Sequence, residues 1–211
     1  MLETIAITAT SFFITYVIAT LVEKWKFRQT MPRKNMVEVS TTDEEMINIS
    51  KQIIHEIFGE NIYESVGCLK KIERIDIMSR FAKRLAKEYG LDAEVDVDVW
   101  EIENRGTYSY SENEAVFNIF LLMADKDDEF FNYGVRSVME TIVHELRHAV
   151  QWKAITENNF WNVDEKTRDL WAENLNFDNY IDPEVDFKGY CEQPVEADAR
   201  TFSALVMEGV T

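Results

Sequence analysis

The chain has 211 residues, 46% of them hydrophobic, which suffices for one domain with a real core plus an appendage and excludes disorder along its whole length. Its 39 acids against 22 bases give a formal net charge of -17, which argues against DNA or RNA as a partner. The only two cysteines, Cys68 and Cys191, lie far apart with no C-x-x-C partner; they read as buried or free thiols and exclude a disulfide framework or a thiolate-rich metal site.

In chain order, residues 4–22 (TIAITATSFFITYVIATLV) carry no charge. At about 1.5 Å per residue such a stretch matches a hydrocarbon layer of about 30 Å. Lys24, Lys26, Arg28, Arg33 and Lys34 follow it, with Trp25 and Phe27 among them at interface depth. The positive-inside rule then keeps the C-terminal side in the cytoplasm. Residues 1–23 are therefore expected to be a single-pass transmembrane anchor helix, 24–40 a basic juxtamembrane linker, and 41–211 the folded domain.

Thr41-Thr42-Asp43-Glu44-Glu45 is a capping-box helix start, and the helix is expected to reach about Phe58 and stop near Gly59. His55-Glu56 is only half of a zinc-binding pattern, because Gly59 stands where a second histidine would be; His55 reads as a surface or satisfied histidine. A second amphipathic helix is expected over 72–89, with Gly90 after it. Glu94 to Val99 alternates acids with valines, the pattern of a half-solvated strand. After a turn at 104–106, residues 107–110 and 115–122 read as two more strands joined by a hairpin loop at 111–114.

From about Phe131 or Tyr133 to Ile155 the apolar spacing is helical, through Val135, Val138, Met139, Ile142, Leu146, Ala149 and Val150. This helix carries His144-Glu145-Leu146-Arg147-His148, an H-E-x-x-H pentad beside the apolar stripe. Residues four apart share a helix face, so both imidazoles reach one ion, and two neutral imidazoles suit Zn²⁺ at about 2.0–2.1 Å. Glu145, next to the first ligand, is the candidate general base toward a water activated by the metal.

Residues 156–190 are rich in Asn, Asp and Trp, with a short helix expected over 164–174 and a turn at Asp182-Pro183. The arm reads equally as a lid or cleft wall and as a plain connecting loop. Gln193-Pro194-Val195-Glu196 starts the last helix, with Pro in the first turn and acids behind it. A catalytic zinc takes three protein ligands, and no histidine follows His148, so the third is expected to be a carboxylate. Glu196 is the first choice; Asp198 and Glu192 are the alternatives. Tyr190 is the candidate oxyanion donor, ahead of Arg147 and Tyr180.

H-E-L-R-H followed by Y-x-x-Q-P-x-E-A-D-A-R-x-F resembles the compact gluzincin-type zinc metallopeptidases, akin to the minigluzincins and more distantly to SprT-like domains. The resemblance covers about residues 72–208, and only these two motifs are specific. It implies an α+β, zincin-like fold: a small, mostly antiparallel sheet over the active-site helix, and a C-terminal helix bringing the third ligand. It implies an edge strand within Gly106–Leu122 that runs along the substrate. It also implies Zn²⁺ on His144, His148 and Glu196, with Glu145 as base and a peptide or protein as substrate. Larger gluzincins place Asp four residues after the third ligand to orient a histidine; here that position is Arg200. Asp198 is expected either to supply that support or to pair with Arg147 across the two helices. A catalytically silent, membrane-tethered binding or regulatory module on the same fold is the competing expectation.

Overall fold

The computed structural model describes residues 41–100 and 105–211. The expected anchor and linker lie outside those residues. Among the described residues no helix is long and apolar enough to cross a membrane.

Helix α1 (Thr41–Phe58) and helix α3 (Lys71–Glu88) follow the apolar spacing closely. In α1 the core face is Met46, Ile53, Ile54 and Phe58, with Ser50 among them bonded to Tyr89 of the following turn at 2.5 Å. His55 is exposed and faces Glu60 at 3.6 Å, the surface role expected of it. Between these helices lies a six-residue helix, α2 (Ile62–Gly67), not anticipated from the sequence. It is too short to show a period; the Asn61 side chain starts it by accepting from Glu64 N–H at 2.9 Å. In α3, Arg74 is buried with the apolar set. Its guanidinium donates to the carbonyls of Leu122 (2.6 Å) and Ala124 (2.7 Å) and lies over the Phe131 ring, pinning the turn that enters the central helix.

The sheet has three strands: β1 (Glu94–Asp98), β2 (Gly106–Ser109) and β3 (Glu114–Asn118), in the order β1-β3-β2. β2 and β3 form the expected antiparallel hairpin. β1 pairs parallel to β3, so the sheet is evenly split and not mostly antiparallel. The expected strand over 115–122 also ends early, at Asn118. There the side-chain oxygen accepts from Phe120 N–H at 3.0 Å, and the side-chain nitrogen donates to the Trp100 carbonyl at 3.2 Å. That closes a local turn in place of the ladder. The apolar residues beyond it form one 3-10 turn (Phe120–Met123) instead of more strand.

Helix α4 (Phe131–Thr156) is the central element, packed against β2, β3 and the 3-10 turn. At Gly134 a Cβ would lie 2.7 Å from the Leu121 carbonyl oxygen, so only glycine lets the helix pass this close to the turn. Beyond it come α5 (Glu165–Asn174), started by Asp164 accepting from Thr167 N–H, and the short α6 (Phe187–Glu192). The last helix, α7 (Pro194–Val206), lies against α4 and α1. Val195, Ala199, Phe202 and Val206 are its buried apolar face.

Candidate metal centre

His144 and His148 stand one turn apart on α4, and Glu196 stands in the first turn of α7. The two helices bring both imidazoles and the carboxylate together. His144 Nε2 and His148 Nε2 are 3.1 Å apart. His144 Nε2 lies 3.3 Å from Glu196 Oε2, and His148 Nε2 lies 3.3 Å from Glu196 Oε1. His148 and Glu196 are buried and His144 is half-buried, so the open side of the cluster is the His144 side.

The spacing can be checked against an ion. Ligand atoms about 2.05 Å from a tetrahedral zinc stand about 3.3 Å from one another. The nitrogen–nitrogen separation and the distance from each nitrogen to the carboxylate oxygen it faces lie near that edge length, and two nitrogens with one carboxylate are a usual donor set for zinc. Among the described residues this is the only such group of metal-ligating side chains.

The electrostatics also suit a cation. Burial works to raise the Glu196 carboxyl, but its hydrogen bonds to His144 and His148 and their charge outweigh this and hold it well below the usual carboxylate range. For His148 burial works downward, yet Glu196, then Glu145, push it up to about 9.

Glu145 follows His144 and lies beside the start of β2. A Cβ at Gly106 would come within 3.3 Å of Glu145 Cγ and 2.8 Å of Thr141 Cγ2. Glycine thus lets β2 lie directly against the helix at the candidate base. β2 is the edge strand on this side of the sheet.

Three tyrosines surround the carboxylates. Tyr180, from the 176–186 arm, donates to Glu196 Oε1 at 3.4 Å. Tyr190 of α6 meets the Tyr180 ring edge-on at 6.2 Å. Its hydroxyl is pushed up by burial and then by the charge of Glu196, so it remains a proton donor. Tyr110, at the end of β2, is raised by burial, then by Tyr180, Glu196 and Glu145. The sequence reading missed Tyr110. Its signal was the T-Y-S-Y run, in which Tyr108 enters the core and Tyr110 continues on the same face toward Trp152.

Two expectations change here. Arg147 is not available as an oxyanion donor. It is 2% exposed and fully engaged: Nε and Nη2 donate to Asp198 at 2.8 and 3.1 Å, and Nη1 meets Asp43 at 2.8 Å. Asp198 is thereby committed to Arg147, the pairing anticipated across the helices, and is not a ligand. Glu192, the other alternative, is exposed and faces Lys188 at 3.9 Å. Arg200, in the position of the acid of larger gluzincins, donates from Nη2 to the Cys191 carbonyl and ties α6 to α7. The residue that reaches His148 is one the sequence reading did not name: Gln151, whose Oε1 lies 2.8 Å from His148 Nδ1. Its signal was its place three residues after His148, on the same helix face.

No family model, no curated protein and no solved structure matches the chain.

Proposed function

We propose that the chain is a zinc-dependent metallopeptidase. The observation that carries this reading is the convergence of His144 Nε2 and His148 Nε2 with the Glu196 carboxylate, one oxygen 3.3 Å from each imidazole, with Glu145 next in sequence to a ligand. A bound zinc supplies Lewis acidity and lowers the pKa of a water it holds to about 7. His144, His148 and Glu196 hold the ion and leave the His144 side open. Glu145 accepts a proton from the attacking water at its carboxylate and passes it to the leaving amine. Tyr190, kept protonated by its burial and by Glu196, donates to the carbonyl oxygen as charge develops there. Tyr180, with its hydroxyl on Glu196, is the weaker donor. Among the described residues β2 is an edge strand, and its first residue, Gly106, lies against Glu145, so a peptide paired along β2 would approach the candidate base, which supports a peptide as substrate. On the sequence reading, residues 4–22 tether this domain to the cytoplasmic face of a membrane.

The test uses the full-length chain. The wild type retains about one zinc per chain through purification and cleaves members of a peptide library. Glu145→Gln keeps the zinc and loses about 10²–10⁴-fold in cleavage rate. A wild type with no retained metal, or a Glu145→Gln variant that cleaves at the wild-type rate, rejects the reading.

A further inference from the structure

Gln151 lies fully buried three residues beyond His148, outside both motifs that pointed to the site. Its amide nitrogen donates to the Val195 carbonyl at 2.9 Å and to Asp198 Oδ2 at 2.7 Å. A peptide carbonyl only accepts, and the Asp198 carboxylate already accepts from Arg147 on both of its oxygens. The nitrogen end of the Gln151 amide must therefore face Val195 and Asp198. Its oxygen end must face His148 Nδ1, at 2.8 Å. An amide oxygen only accepts, so Nδ1 of His148 carries the proton. In the neutral ring Nε2 then keeps its lone pair, and Nε2 is the atom that faces His144 and Glu196.

We propose that Gln151 is the positioning residue of the metal centre. It fixes His148 as the Nδ1–H tautomer and aims Nε2 at the ion, while Asp198, itself held by Arg147, fixes which way round the Gln151 amide stands. This rests on the metal reading above. It supplies from α4 itself a support that the chain does not draw from α7, where Arg200 is turned to Cys191. Helix geometry sets the spacing between positions 148 and 151, so the reach of the Gln151 side chain to His148 is set within α4. The docking of α7 instead controls the amide's orientation, through Val195 and Asp198. Ligand geometry and helix packing are thereby linked through one side chain.

The test is zinc affinity, measured by chelator competition on the full-length wild type, Gln151→Leu and Gln151→Glu. Leucine removes the acceptor for Nδ1–H; glutamate keeps one but loses the bonds to Val195 and Asp198 and sets a second carboxylate against Asp198. Gln151→Leu is expected to bind zinc about 10–100-fold more weakly, the usual cost of removing a partner behind a ligand. Gln151→Glu is expected to recover only part of that loss, because its carboxylate faces Asp198 where the amide nitrogen donated. In the zinc-loaded wild type, proton–nitrogen NMR is expected to give a slowly exchanging Nδ1–H for His148, with Nε2 as the ligating nitrogen. That measurement decides the matter even where Gln151→Leu fails to fold. Wild-type affinity in Gln151→Leu or ligation of His148 through Nδ1 overturns the proposal while leaving the metal reading intact. A wild type that binds no zinc overturns both.

Discussion

Arg147 and Asp198 form a two-point ion pair between α4 and α7, with Nε and Nη2 donating to the two carboxylate oxygens at 2.8 and 3.1 Å. The guanidinium also meets Asp43 of α1 at 2.8 Å and lies over the rings of Phe202 (4.6 Å) and Trp171 (5.4 Å). Burial works against its charge, but Asp198 and Asp43 more than offset this and keep it protonated. Four elements therefore meet on one side chain next to the candidate ligands. Removing one partner of a buried pair costs far more than the pair is worth net, because it strands the other charge. Arg147→Met is expected to destabilise the fold by about 3–5 kcal/mol, read as a lower urea midpoint. Asp43→Ala is expected to cost less, since that carboxylate keeps 19% exposure and so some of its water. Equal stability of Arg147→Met and wild type would contradict the keystone role.

The pH dependence of the metal-free protein has a definite sign. His148 is raised to about 9 in the fold, above an unfolded value of about 6.5. Its contribution to stability is fully present below about pH 6.5 and is lost as pH rises toward 9. Glu196 is lowered, so its contribution is present above about pH 4.3 and is lost as pH falls below that. Zinc has the opposite slope, because ligation requires His148 without its proton at Nε2. Melting temperatures of chelator-treated and zinc-loaded protein are expected to diverge as pH rises from 6.5 to 9, the zinc-loaded form gaining relative to the metal-free one. A gap that narrows across this window contradicts the assignment of His148 as a ligand.

Tyr190 and Tyr180 separate by role. Both hydroxyls stay protonated, through burial first and then through Glu196. Both hydroxyls also hydrogen-bond Glu196, that of Tyr180 at 3.4 Å, and Tyr190 is the proposed donor to the developing oxyanion. Tyr190→Phe is expected to lower kcat by about 10²–10³ with zinc content and KM little changed, the pattern of a group acting only in the transition state. Tyr180→Phe is expected to fall well short of that loss. If Tyr180→Phe proves the more damaging in kcat, the donor role passes to it.

What the sequence made legible was local. The i, i+4 spacing of His144 and His148 needs only a helix, and the Pro194 start with Glu196 behind it needs only a first turn. What escaped depends on contacts distant in the chain. Gln151 gains meaning only once Val195 and Asp198 dock against it. Tyr110 and Asp43 come to the site's surroundings from a hairpin and a helix whose docking no short-range pattern encodes. The strand expected beyond Asn118 failed for a local reason: one side chain replaced the ladder, while the apolar run after it looked the same as a buried strand. The parallel pairing of β1 with β3 was invisible because alternation reports which face is buried, not which strand lies alongside.

Gly106 offers a last test of how the edge strand and the candidate base are set together. Its backbone lies so near α4 that an added Cβ would sit 2.8 Å from Thr141 Cγ2, 3.2 Å from the Val116 carbonyl oxygen and 3.3 Å from Glu145 Cγ. The first distance forces a shift, and the nearest relief is for β2 to lift from the helix. Gly106→Ala is therefore expected to reduce peptide cleavage about tenfold or more, since a misplacement of about 1 Å at a positioned group can cost up to 10²-fold. Zinc content should be preserved, because the three atoms nearest to the added Cβ belong to Thr141, Val116 and Glu145, none of them a candidate ligand. Thr141→Ser removes Cγ2 but keeps the hydroxyl that donates to the Ser137 carbonyl at 2.9 Å. Adding it to Gly106→Ala should restore part of the activity, a coupling of about 0.5–3 kcal/mol between residues in contact. Strictly additive effects of the two substitutions would show that the close approach of β2 does not set Glu145.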